Sequence, residues 1–105
     1  MPVNTFLGRQ IDVNDEGFLT KPEQWDEELA RTLAGIAGVQ EMTEAHWAAV
    51  RFVRADMVET GSSPTLHRMH KVGGLNIKEL FALFPGKPAK KLAYIAGGPK
   101  PTACV

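Results

Sequence analysis

The chain has 105 residues, of which 44% are hydrophobic and 23% are charged, and its formal net charge is zero. This length suits one small domain, and this composition excludes an intrinsically disordered chain. No apolar run approaches the roughly 18 residues that a transmembrane helix needs, and the first residues lack the basic and apolar regions of a signal peptide. A cytoplasmic location is therefore expected.

The charges are unevenly distributed along the chain. Residues 1–63 contain five basic and eleven acidic residues, whereas residues 64–105 contain seven basic residues and one acid, Glu79. The C-terminal part is thus a basic segment of a neutral protein. Such a segment either attracts an anionic partner or is attracted by the acidic N-terminal part within the fold.

The first 20 residues predict a β-hairpin or a short meander. Residues 5–7 and 11–13 are short alternating stretches, and residues 14–17 are typical of a turn. Thr20 and Glu23 then have the spacing of a capping box, which predicts a helix that begins near residue 22 and breaks near residue 25.

The next helices are predicted from apolar spacing and capping residues. The first of these helices is expected to bury one face in the core, and this face is formed by Leu29, Leu33 and Ile36. The longest helix is predicted over Glu44–Thr60, with Thr43 as its N-cap and Gly61 at its end. Its apolar face is formed by Trp47, Val50, Val53 and Met57. Ser63 and Pro64 are expected to cap and open the helix that follows.

Two shorter helices and an extended segment are predicted to complete the chain. Asn76 is expected to cap a helix over Ile77–Phe84, and Pro88 to open one that reaches about Ala96. Two prolines in the last seven residues disfavour helical geometry. We therefore expect one domain, residues 1–98, with a hairpin in residues 1–20 and a helical body in residues 21–98.

The remaining residues, 99–105, are expected to form a mobile C-terminal arm that carries the single cysteine, Cys104. One cysteine cannot form an internal disulfide. A thiolate is the reactive form of cysteine, and the cations of Lys100, Lys90 and Lys91 would favour it, whereas the terminal carboxylate would oppose it. From these residues alone, Cys104 is either a functional thiol or an accidental exposed one.

Several segments resemble the DsrC/TusE family of sulfur-carrier proteins. At the C-terminal end these are Leu83-Phe84-Pro85, Pro88-Ala89-Lys90, Ile95-Ala96-Gly97, Pro99-Lys100-Pro101-Thr102 and Cys104-Val105. Upstream they are Asp15-Glu16-Gly17-Phe18-Leu19, Trp25, Thr43-Glu44-Ala45-His46-Trp47, Val50-Arg51-Phe52-Val53-Arg54, Ser63-Pro64 and Arg68-Met69. The resemblance covers nearly the whole chain.

This resemblance implies a mainly α-helical fold with a small N-terminal β-hairpin. The helices would form an orthogonal bundle containing a helix-turn-helix-like pair, with a flexible C-terminal arm. It also implies that Cys104 accepts sulfane sulfur as a persulfide and donates it again, so that the chain is a substrate protein rather than a stand-alone enzyme. No cofactor, metal or membrane is implied.

The partners implied by the resemblance are sulfurtransferase donors and acceptors. They would belong to a TusE-like relay for 2-thiouridine synthesis in tRNA or to a DsrC-like pathway linked to sulfite reductase or sulfur oxidation. Lys100, Lys90, Lys91 and Arg68 are expected to steer the arm towards an anionic partner surface. A solvated helix face is the alternative for Lys90 and Lys91.

Two departures from the family pattern bear on this expectation. Members with two cysteines have the second one on the helix before the arm, where this chain has Ala93. This chain therefore cannot form their internal disulfide, although it can carry a persulfide as TusE-type members do. The connector Val72–Leu75 and the loop Pro85–Pro88 also differ from the usual pattern. The resemblance therefore does not determine which surface contacts a partner.

A helix-turn-helix nucleic-acid-binding regulatory protein is the alternative from another class. The helices predicted over Glu44–Thr60 and Pro64–Val72 have suitable proportions, but the neutral charge is unusual for a DNA-binding domain. A metal site is disfavoured because His67 and His70 are only two ligands on one helix face. His46 is interpreted as a packing or capping residue.

Overall fold

The computed structural model describes residues 3–101 and shows an antiparallel β-hairpin followed by five helices. The elements are β1 (Val3–Phe6), β2 (Arg9–Asp12), α1 (Glu27–Ile36), α2 (Glu44–Thr60), α3 (Leu66–Lys71), α4 (Ile77–Leu83) and α5 (Pro88–Ile95). The predicted mainly α-helical fold with an N-terminal hairpin is confirmed. None of these helices is long and apolar enough to cross a membrane.

The hairpin closes through a two-residue turn that the sequence analysis did not identify. Leu7 and Gly8 both have positive φ, 54° and 75°, which is the geometry of the tight turn that suits twisted antiparallel strands. The turn predicted at residues 14–17 is also present, because Gly17 N–H donates to Asn14 O at 3.0 Å. Val13 then pairs with Leu19, so the N-terminal region forms a short meander.

The capping box predicted at Thr20 and Glu23 is wrong. Pro22–Gln24 form a single 3₁₀ turn, and Trp25 leaves helical geometry with ψ of 141°. The helix begins afresh at α1, where the carboxylate of Asp26 accepts a 2.8 Å hydrogen bond from the backbone N–H of Leu29. Trp25 departs from the helix because its side chain is bonded to α5, as described below.

Local capping signals placed most of the other helix ends correctly. α2 begins after Thr43 and ends at Gly61, whose φ of 79° suits glycine. The side chain of Asn76 accepts from Glu79 N–H at 3.0 Å and caps α4 as predicted. The predicted start of α3 is wrong, since Thr65 is its cap and Ser63 forms a bond elsewhere in the fold.

The core lies around α5, which packs against α1, α2 and α4. Its side chains interlock with fully buried residues of the neighbouring elements, among them Val50, Val53, Met69, Leu80 and Phe84. A second cluster joins the hairpin region to α1 through Ile11, Val13, Leu19, Leu29 and Leu33. Ile36 was expected in the core but is 61% exposed, because the buried face of α1 leaves it at its edge in the last turn.

Candidate functional site

The predicted sulfur-bearing residue, Cys104, lies outside the described residues, as do Thr102, Ala103 and Val105. The structure follows the chain to Pro101, three residues before the cysteine. The site that can be described is therefore the anchor of the C-terminal segment, formed by the end of α5 and residues 97–101 and by the elements that hold them.

Two consecutive glycines end α5 and bring the chain into close contact with the body. Gly97 has φ of 74°, and a Cβ atom there would lie 2.7 Å from Cδ1 of Trp25. A Cβ atom at Gly98 would overlap the sulfur of Met57 and lie 2.9 Å from Oγ of Ser63. Only glycine therefore lets the chain pass between these side chains. The Gly97-Gly98 pair thus both ends α5 and allows the following residues to pack closely against the body.

Trp25 and Arg54 hold the last carbonyl groups of α5. The indole N–H of Trp25 donates to Ile95 O at 2.8 Å, and Nη1 of Arg54 donates to Ala96 O at 2.8 Å. The guanidinium carbon of Arg54 stacks 4.0 Å from the Trp25 ring centroid. A cation in this position satisfies carbonyl groups that the helix itself leaves unpaired and interacts favourably with the helix dipole.

Arg54 remains charged in this partly buried position. Burial lowers the pKa of its guanidinium from the ordinary value, but an arginine in a protein stays protonated. The sequence analysis named Trp25 and Arg54 only within segments that carry the family resemblance and gave neither a structural role. Their contact depends on tertiary packing between separate elements, so no local sequence signal indicated it.

The residues after the glycines are fixed at three successive points. The hydroxyl of Ser63 donates to Pro99 O at 2.6 Å. The ammonium group of Lys100 lies 3.0 Å from Oε2 of Glu16, and Pro101 is buried. The C-terminal segment is thus held against the body as far as Pro101. The division into a domain of residues 1–98 and a mobile arm of residues 99–105 stays a prediction.

A cavity of about 390 Å³ lies beside this anchor. We call it the lysine pocket; it is lined by Glu16, Phe18, Ala37, Pro85, Gly86, Lys87, Lys90, Lys91 and Tyr94. Phe18 and Tyr94 meet edge to face with ring centroids 5.7 Å apart and form an apolar wall. Burial raises the pKa of the Tyr94 hydroxyl, so this hydroxyl stays neutral in the folded protein.

The structure places the four predicted steering residues in different surroundings. Lys90 and Lys91 line the lysine pocket, and Lys100 pairs with Glu16 at the same pocket. Arg68 instead lies on α3, where its Nε and Nη2 atoms donate to the carboxylate of Asp56 at 2.7–2.9 Å. These bonds raise the pKa of Arg68. The Arg68 guanidinium therefore fastens α3 to α2, and a steering role for it stays a prediction.

The three histidines do not form a metal site among residues 3–101, where no group of three or more potential ligands occurs. His46 is buried in the first turn of α2, where Nδ1 accepts from Thr43 N–H at 3.1 Å. Its Nε2 atom lies 3.0 Å from Leu83 O, so that one imidazole joins the start of α2 to the end of α4. The predicted packing and capping role of His46 is confirmed.

Comparisons with known proteins agree on one family. A family model described as "DsrC like protein" matches residues 5–105. The sulfurtransferase TusE of Yersinia pseudotuberculosis serotype I (strain IP32953) is 40% identical to this chain. The alignment is 107 residues long and covers 95% of this chain and 98% of the relative. The corresponding TusE of Escherichia coli (strain K12) is 36% identical over 107 residues, which cover 95% of this chain and 97% of the relative.

Solved structures give the same result. The oxidized gamma-subunit of the dissimilatory sulfite reductase (DsrC) from Archaeoglobus fulgidus matches with a TM-score of 0.76 and 35% identity, over 99% of this chain and all of that one (100%). A structure named dissimilatory sulfite reductase I (DsrI) matches with a TM-score of 0.84 and 30% identity, over 99% of this chain and 100% of that chain.

Proposed function

This chain belongs to the DsrC-like family, and from that membership we propose that Cys104 carries sulfane sulfur as a persulfide between partner proteins. The sulfur-carrier role follows from relatives named sulfurtransferases and from the likeness to DsrC structures. The observation that supports Cys104 as the carrier is that the family match extends through residue 105 and includes the single cysteine of the chain.

The transfer we propose is a pair of thiol–persulfide exchanges. The Cys104 thiolate attacks the outer sulfur of a donor persulfide, a new S–S bond forms on Cys104, and the donor leaves as a thiolate. An acceptor thiolate then attacks the outer sulfur of the Cys104 persulfide and releases the Cys104 thiolate. Each step breaks one S–S bond and forms another, so no external oxidant or reductant is needed.

Position 93 is occupied by alanine and so offers no second thiol, which fits carriage of a persulfide without an internal disulfide. This position, where two-cysteine members of the family have their second cysteine, is fully buried on α5, and its carbonyl accepts from Gly98 N–H at 2.9 Å. We infer a relay of the TusE or DsrC type in which donor and acceptor are separate proteins, and we place it in the cytoplasm. The absence of a second thiol favours TusE-like carriage.

The helix-turn-helix alternative is not supported. α3, which would be its recognition helix, has six residues and buries Leu66 and Met69 in the core. The cation of Arg68 is engaged by Asp56. The relatives and structural neighbours are named as sulfurtransferases and sulfite reductase proteins.

The test is intact-mass measurement after incubation with a sulfurtransferase and a persulfide donor. We expect the wild-type protein to gain the mass of one or more sulfur atoms and to lose it on reduction with a thiol. Cys104→Ser should gain none, whereas the matched control Ser62→Ala, a change in an exposed turn, should load like the wild type. Unmodified wild-type protein under conditions that load another carrier would contradict the proposal.

A further inference from the structure

Three lysines at the start of α5 line one side of the lysine pocket. Lys87 is the N-cap of this helix, and Lys90 and Lys91 lie in its first turn. None of them forms an ion pair with another residue in the range 3–101. We propose that the lysine pocket binds a small organic anion, a phosphate monoester with an aromatic body. This site does not require that Cys104 carries sulfur and so goes beyond the proposed function.

The position of these lysines is unfavourable for α5 when the pocket is empty. They are spaced i, i+3 and i+4 and line the same pocket, so that their like charges repel one another. The first turn of a helix favours negative charge, because the N-terminal end of the helix dipole is positive. α5 has no acidic residue in its first turn. An anion bound between the lysines would relieve both the mutual repulsion and the unfavourable interaction with the dipole.

The opposite side of the pocket is apolar. Phe18 and Tyr94 meet edge to face, and Ala37 and Pro85 add further apolar surface. The volume of about 390 Å³ lies in the range of sites for small organic molecules, which bind through apolar walls and a few placed polar groups. An inorganic ion would leave this wall in contact with water, whereas an aromatic body would cover it. The ligand therefore has an aromatic part beside its anionic group.

The number of cations favours an anionic group with two negative charges. A phosphate monoester carries a charge of about −1.5 to −2 at pH 7 and has three strong acceptor oxygens, and lysine is a common binder of phosphate. The acid at the pocket, Glu16, is paired with Lys100 at 3.0 Å, which reduces its repulsion of an anion. Lys90 and Lys91 are partly buried, which limits the screening of their attraction for the ligand.

The probe is naphthyl phosphate, and its binding to the full chain is measured by isothermal titration calorimetry at pH 7. We expect saturable binding with a Kd below about 1 mM. Naphthol and inorganic phosphate should each bind at least about tenfold more weakly, since each lacks one of the two recognised parts. The Lys87→Gln/Lys90→Gln/Lys91→Gln variant should lose at least about tenfold in affinity for the probe. The control Lys71→Gln/Lys78→Gln, which removes two lysines outside the pocket, should bind the probe like the wild type.

A thermal measurement separates ligand binding from support of the fold. It uses Lys87→Gln/Lys90→Gln and keeps Lys91, whose Nζ lies 3.9 Å from the Cβ position of Gly38 at the end of α1, where a cation is favourable. Without probe and at low ionic strength, this variant should melt about 2–4 °C above the wild type, because the repulsion on α5 is removed. Added probe should raise the melting temperature of the wild type more than that of the variant.

Four results would overturn the proposal. The first is an absence of saturable binding of naphthyl phosphate up to about 1 mM. Equal affinity in the triple variant would place the probe outside the lysine pocket, and equal affinity for inorganic phosphate would show that the apolar wall is not recognised. A double variant that melts below the wild type without probe would show that these lysines support the fold rather than await an anion.

Discussion

The close approach at Gly98 makes a quantitative prediction. A Cβ atom there would overlap the sulfur of Met57 and lie 2.9 Å from Oγ of Ser63, in a buried position. Overpacking of this kind costs about 1–3 kcal/mol, because side chains and backbone must move apart. We therefore expect Gly98→Ala to lower the free energy of unfolding by about 1–3 kcal/mol, measured by urea unfolding monitored by tryptophan fluorescence.

Gly35→Ala is the matched control, since it makes the same chemical change within α1 where a Cβ atom meets nothing within 4 Å. It should stabilise the protein by about 0.5–1 kcal/mol through helix propensity. A double variant, Gly98→Ala with Met57→Ala, should lose about 1 kcal/mol less than the two single losses together, because the overlap is relieved. The steric reasoning is refuted if Gly98→Ala is as stable as the wild type, or if the two losses simply add.

Three further predictions concern Arg54, Tyr94 and His46. Arg54→Ala should lower the free energy of unfolding by about 1.5–3 kcal/mol, because it removes a charged hydrogen bond to Ala96 O and the stacking on an indole; Arg54→Lys should recover less than half of this in the same urea assay. Tyr94 is the single tyrosine, so absorbance can follow its ionisation directly; its midpoint should lie above 10.0 in the folded protein and return to that value in urea. Because folding raises this pKa, stability from the neutral phenol is present below pH 10 and is lost as pH rises through the folded value; a midpoint at or below the value in urea would contradict this. His46→Ala should cost about 1–2 kcal/mol in thermal unfolding, and His46→Gln less, since glutamine also suits this capping position; equal losses would argue against capping.

Helix ends that depend on neighbouring residues were predictable from the sequence. Thr43, Gly61, Asn76 and Pro88 mark the ends of three helices as expected, because a cap is satisfied within one turn of its own residue. The error at Ser63 has a tertiary cause. Its hydroxyl bonds to Pro99 O, which belongs to a segment far along the chain, and Thr65 caps α3 instead.

The candidate site was predictable only in part. The resemblance implies a role for Cys104, which stays a prediction, and the order of residues places Lys90, Lys91 and Lys100 near it in sequence; the structure brings these lysines to one pocket and its rim. The stacking of Arg54 on Trp25 was not predictable, because both residues have ordinary local explanations as helix surface and core. Their function as a support for the end of α5 becomes visible only when the elements are packed.

The attachment of Pro99, Lys100 and Pro101 sets an upper limit on the distance between the body and Cys104. If the tether began at Gly98, six residues would separate the thiol from its fixed point and allow a radius of about 20 Å. With Pro101 as the last fixed residue, three residues allow about 10–11 Å. If Cys104 carries sulfur as proposed, a partner whose reactive sulfur lies deeper than this would require the Ser63–Pro99 hydrogen bond and the Lys100–Glu16 ion pair to break. On the proposal that Cys104 carries sulfur, a shallow partner site would exchange sulfur without breaking these contacts, so the depth of a partner's channel would discriminate between partners.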